Sequence, residues 1–100
     1  MQLLGKRQSE RQRVYIPAHC ITQGGRKFLL SICDLSAEGC RVKVSGPLLK
    51  HGDKVLLKPQ GLEPFKALVC WVAAGQAGLL MERPLYGPVL DHLVRNHAEA

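Results

Sequence analysis

The sequence predicts an all-β domain, a small antiparallel barrel or sandwich of six strands, followed by one C-terminal helix. Three observations predict it. Short apolar stretches alternate with a period of two and are separated by turn residues every ~8–12 positions. A length of 100 residues leaves room for a single modest core. After Pro84 the apolar spacing changes to i, i+3, i+4, i+7, at Leu90, Leu93, Val94 and His97. Closing the sheet would remove the exposed strand edges that a domain of this size can hardly cover otherwise.

The elements follow in order. Val14–Thr22 reads as a first strand, with Val14, Ile16, Ala18 and Cys20 on one face. Pro17 cannot donate to a ladder, so it predicts an edge strand or a bulge at that point. Gln23-Gly24-Gly25-Arg26 is a hairpin turn. In Lys27–Cys33, Phe28, Leu30 and Ile32 alternate against Leu29, Ser31 and Cys33. The polar connection Asp34–Gly39 follows, then Cys40–Val44, with Cys40, Val42 and Val44 facing in and Arg41 and Lys43 facing out. Ser45-Gly46-Pro47 breaks the pattern and Gly52-Asp53 turns the chain into Lys54–Lys58, with Val55 and Leu57 on the core side. Beyond the loop Pro59–Pro64 come Phe65–Ala73, carrying Trp71, and Ala77–Glu82. Pro88–His97 is a helix too short to persist alone, so docking on the barrel must hold it. Residues 1–12, polar and basic after Leu3-Leu4, read as a flexible arm that orders on binding, ahead of a single domain at 13–100.

Composition narrows the function. A hydrophobic fraction of 46% and a charged fraction of 22% are those of an ordinary globular domain. No apolar run approaches the ~20 residues that cross a bilayer, and the start lacks a long apolar signal segment, so a cytoplasmic protein without membrane insertion is expected. Cys20, Cys33, Cys40 and Cys70 form no metal-binding spacing and fall in apolar segments, where they read as small buried hydrophobes; His19, His51, His92 and His97 are scattered, and no metal is expected. The net charge is +6, and half of that excess lies in residues 1–13, where Lys6, Arg7, Arg11 and Arg13 face only Glu10. Such a segment suits an anionic partner, and also a solvated tail. No Ser/His/Asp order, metal spacing or phosphate-cradling glycine loop suggests catalysis.

Two motifs sharpen this. Arg7 and Arg11 form RxxxR, and Asp34, Ser36 and Gly39 form DxSxxG between two strand-like segments. As turn chemistry alone, Asp34 and Ser36 would hydrogen-bond nearby backbone and Gly39 would accept unusual φ. The two motifs in this order resemble the PilZ domain, a bacterial receptor module for cyclic di-GMP. Ile16-Pro17 after the arginines, Gly52-Asp53 before a strand, Trp71-Val72 at a strand end and Gly78-Leu79 at the next extend the resemblance over nearly the whole chain. Residue 8 is Gln where many members carry a further arginine.

The resemblance implies a six-stranded antiparallel β-barrel with a C-terminal helix, no catalysis, and cyclic di-GMP bound by Arg7, Arg11, Asp34, Ser36 and Gly39. Guanidinium groups offer forked donors that match phosphate oxygens and the O6/N7 edge of guanine. Asp34 can accept from guanine N–H groups, Ser36 can bond a phosphate or brace its loop, and Gly39 lets backbone approach closely. Binding would order the arm and signal in trans to a partner protein. Trp71 reads as a barrel-core residue ahead of a base-stacking platform. Arg13, Arg41 and Lys43 read as an exposed basic face outside the site. The competing readings are a ligand-free adaptor working through protein contacts and a basic barrel binding nucleic acid. The latter is disfavoured by five aromatics that mostly lie in apolar strand patterns.

Overall fold

The computed structural model describes residues 11–97. Six strands, β1 (Gln12–Thr22), β2 (Lys27–Leu35), β3 (Gly39–Lys43), β4 (Lys54–Pro59), β5 (Phe65–Ala73) and β6 (Gln76–Met81), precede one helix, α1 (Gly87–His97). The strands form a closed antiparallel barrel in the order β1-β2-β3-β6-β5-β4. Two three-strand meanders, β1–β3 and β4–β6, therefore meet twice, at β3/β6 and β1/β4. The segment between β3 and β4 carries Leu49, which is buried in the core.

The period of two is fulfilled inside the barrel. Val14, Ile16, Ala18 and Cys20 from β1, Leu30 and Ile32 from β2, Val42 from β3 and Val55 and Leu57 from β4 are all buried. Each buried Val, Leu or Ile side chain contributes roughly 1.5–3 kcal/mol through removal from water. α1 packs on β1 and buries Leu93, with Val89, Leu90 and Val94 partly covered against the same core. Arg95 and His97 occupy its last turn, where cations suit the helix dipole.

Pro17 departs from expectation. It lies neither on an edge nor at a bulge: β1 pairs on both sides, and its irregularity falls between Arg13 and Ile16. The Pro17 carbonyl accepts from Gln60 N–H at 3.1 Å, so the side of Pro17 that lacks an N–H also faces β4. The β1/β4 ladder ends one residue earlier, at Ala18 and Pro59, and no ladder bond is lost. The cysteines depart as well. Cys20 and Cys40 are buried, but Cys33 is only half-buried and Cys70 is exposed, because both sit at strand irregularities where the alternation shifts.

Candidate functional site

Two irregularities converge on Asp34. Cys33 is the extra residue of β2 opposite β3, between the pairs Ile32–Val42 and Asp34–Arg41. On β1, Val14 and Tyr15 stand against that same single residue, between Arg13–Asp34 and Ile16–Ile32. A bulge re-aims the side chains beside it. Here it sets the carboxylate of Asp34, a residue only 7% exposed, between Arg11, just ahead of β1, and Arg41 on β3.

Arg11 Nη1 lies 3.5 Å from Asp34 Oδ1, and Arg41 Nη2 lies 3.3 Å from Oδ2. The Arg11 side chain is 54% exposed and that of Arg41 38%. Neither contact uses the full capacity of the groups. Among the described residues, Asp34 Oδ1 and Arg41 Nε are buried without a hydrogen-bond partner. Leaving such groups without hydrogen bonds costs about 1–3 kcal/mol each, so a buried acceptor and a buried donor on neighbouring strands suit a polar ligand.

The rest of the motif shapes the loop. Ser36 Oγ accepts from Gly39 N–H and donates to the Gly39 carbonyl, both at 3.2 Å, while Ser36 N–H donates to that carbonyl at 2.9 Å. Ser36 is therefore a brace, buried at 3% exposure. Gly39 stands opposite Leu80 on β6, and a Cβ there would lie 2.6 Å from the Leu79 carbonyl oxygen. Its bare backbone serves the approach of two strands. The loop is also tied to the end of β6 and the chain beyond it: Met81 N–H donates to the Glu38 carbonyl and Leu85 N–H to that of Ala37, each at 2.8 Å.

Register extends the cluster sideways. Arg13, Asp34, Arg41, Gly78 and Trp71 form one row across β1, β2, β3, β6 and β5. A Cβ at Gly78 would overlap the Trp71 indole, including Nε1, so the ring lies directly on that glycine. Trp71 is 42% exposed and belongs to the outer face, not to the core as its spacing predicts. Ala67 and Val69 point inward; Cys70 is an extra residue of β5, and this one-residue insertion reverses the face of the next side chain. Two strand spacings, roughly 10 Å, separate the Trp71 and Arg41 backbones.

A model of the PilZ domain family matches residues 5–95. The chain belongs to the PilZ domain family. That family is one of cyclic di-GMP receptors, generally non-catalytic, and some members act on protein effectors. The fold is similar to that of the PilZ domain of CeSA from a cellulose-synthesizing bacterium, with a TM-score of 0.64 and 22% identity over 88% of this chain and 93% of that one. It is also similar to the Bacillus subtilis inhibitor of motility, MotI/DgrA, with a TM-score of 0.71 and 16% identity over 96% of this chain; this chain spans 52% of that one. No curated protein matches the sequence.

Within this PilZ domain, Arg11, Asp34, Ser36 and Gly39 come together around the β2–β3 connection, while Arg7 lies outside the described residues. Arg41 is the residue that sequence reasoning left out. Its position two residues after Gly39 places it on the outward phase of β3, which identifies an exposed cation but not its ladder partner. Once Asp34 is placed opposite, Arg41 joins the Asp34 cluster. Arg13 shares the row and Lys43 remains exposed. Among the described residues no group of three or more His, Cys, Asp or Glu could hold a metal, and no helix is long and apolar enough to cross a membrane.

Proposed function

We propose that this PilZ domain is a non-catalytic receptor that binds cyclic di-GMP on the outer face around Asp34 and signals in trans to a partner protein in the cytoplasm. The observation that carries the reading is the buried Asp34 carboxylate held between Arg11 and Arg41, with no hydrogen bond to Asp34 Oδ1 or Arg41 Nε among the described residues. Guanine presents adjacent N–H donors that a carboxylate can accept, and acceptors at O6 and N7 that a guanidinium can donate to. Guanine thus supplies both kinds of group this cluster can pair with, donors at N1 and N2 and acceptors at O6 and N7, and the ligand phosphates suit the free faces of the arginines.

Ligand entry is an exchange of partners. Arg11, exposed and held to Asp34 by one contact of 3.5 Å, leaves at small cost. It then serves the ligand together with Arg7 of the N-terminal arm, while Asp34 turns its acceptor to the base. Ser36 and Gly39 keep the loop in shape. The exposed Trp71 ring, in the same row, offers an aromatic face for a base.

Isothermal titration with cyclic di-GMP tests this, with GTP and cyclic di-AMP as controls. Saturable binding of cyclic di-GMP alone, lost in Arg11→Ala, is the expected result and yields the stoichiometry. Absence of heat at high protein concentration would replace the receptor reading with that of an adaptor working only through protein contacts.

A further inference from the structure

We propose that the outer face of β4, β5 and β6 is a docking groove for an acidic amphipathic helix of a partner protein. The proposal does not rest on ligand binding: the groove is built from other side chains than the Asp34 cluster, and the two adjoin only where Leu80 pairs with Gly39.

Outward positions of a solvated barrel strand are expected to be polar. At this end of the barrel Leu56, Leu68 and Leu80 on β4, β5 and β6 are aliphatic instead, and so is Ile21 on the adjoining β1. Register joins them into one stripe. Ile21 stands opposite Leu56, and Leu68 opposite Leu80. Leu56 faces Lys66 and Lys54 faces Leu68, so Leu56 and Leu68 are diagonal neighbours within side-chain reach. Leu68 is 38% exposed and Leu80 48%. The stripe lines a groove of about 540 Å³ that crosses the strands from the end of β1 to the end of β6.

Charge complementarity selects the occupant. Lys54 and Lys66 flank the leucines, with Glu82 at the far end. A concave aliphatic floor between lysines matches a helix that presents Leu or Ile at i, i+3, i+4 and i+7 with Asp or Glu on either side. A second copy of the chain fits poorly: a two-fold contact would set these lysines against their own equivalents, and four side chains fall far short of the roughly 800 Å² per partner of a stable interface. Nucleic acid fits poorly as well, because the groove has no aromatic lining for bases.

The test uses a fluorescein-labelled helical peptide with leucines at i, i+3, i+4 and i+7 and glutamates elsewhere, titrated with the full chain. A peptide with lysines in place of the glutamates and a scrambled acidic peptide are the controls. Saturable binding of the acidic helix alone, weakened by salt and reduced about tenfold in Leu80→Asp and in Lys66→Glu, is the expected result. Both substituted positions are exposed, and unchanged melting curves verify the fold of the variants. Equal binding of the lysine peptide, indifference to both substitutions, or amide shifts mapping away from β4–β6 would overturn the proposal. Sedimentation showing dimers that Leu80→Asp dissolves would reassign the groove to self-association. Flotation with vesicles of anionic phospholipid, lost in the same variant, would reassign it to a membrane surface.

Discussion

Asp34 and Arg41 stand directly opposite each other on β2 and β3, and their side chains meet at 3.3 Å between Oδ2 and Nη2. The pair is anchored from both backbones, whereas Arg11 reaches Asp34 from the start of the chain with a far more exposed side chain. Arg41 thus fixes the carboxylate that Arg11 can release. Arg41→Ala is expected to cost about 1–2 kcal/mol of stability, between the values for exposed and fully buried pairs, and to weaken cyclic di-GMP binding at least about tenfold. Arg41→Lys restores the charge but not the fork, so it should recover stability more than affinity. Urea unfolding and calorimetric titration of the two variants separate these effects; equal affinity in Arg41→Ala and the wild type would remove Arg41 from the site.

Trp71 is the sole tryptophan and rests on Gly78, one strand from Arg41. Its emission is therefore a reporter of the row. Cyclic di-GMP should change that emission in proportion to occupancy. Gly78→Ala should displace the ring, shift the free-protein emission and weaken binding severalfold. An unchanged spectrum at saturation would mean that the ligand stays clear of β5.

Gly39→Ala places a methyl group against the Leu79 carbonyl oxygen, where only 2.6 Å is available. The backbone cannot yield without opening the β3/β6 ladder, so a loss of about 1–3 kcal/mol is expected. Thermal melting measures it. A variant of wild-type stability would show that β3 and β6 can part there without cost.

Thiol chemistry should separate the cysteines. Burial pushes the Cys40 thiol up to about 12 and, with the negative charge of Asp53 adding to it, the Cys20 thiol up to about 11, from an ordinary 9.0. Raised values favour the neutral thiol in the folded state. The stability they contribute is complete below pH 9.0 and is lost as pH rises through about 11 and 12. At pH 8 a chromogenic disulfide reagent should modify exposed Cys70 first and reach Cys20 and Cys40 only after unfolding. Fast modification of Cys40 in the folded protein would contradict its enclosure. The urea midpoint should fall between pH 9 and pH 11, and replacing Cys20 and Cys40 with Ala should flatten that fall.

Much of this molecule was legible in its residues. Val14, Ile16, Ala18 and Cys20 announce the inner face of β1, and Leu90, Leu93 and Val94 announce the face of α1 that meets the core. The motif Asp34, Ser36, Gly39 also marked where polar groups gather, because short polar side chains and a bare backbone at that spacing are informative without a partner. Trp71 departs from expectation for a local reason: the extra residue at Cys70 leaves no mark in the alternation before it. Arg41 was passed over for a non-local one. An outward arginine on β3 looks alike whether it faces water or a carboxylate, and only the pairing of β2 with β3 decides which.

The sequence by itself determined the family, the six strands and helix, and the residue types able to meet a guanine nucleotide, since periodicity, turn chemistry and motif spacing are properties of the chain. Tertiary structure decided the rest. Closure of the barrel and its bulges brought Asp34 against Arg41, turned Trp71 outward onto Gly78 and joined Leu56, Leu68 and Leu80 into one groove. The physical reason is that a strand's register against its neighbours is set by packing and hydrogen bonding summed over the whole barrel, and a shift of one residue exchanges the faces of every side chain beyond it.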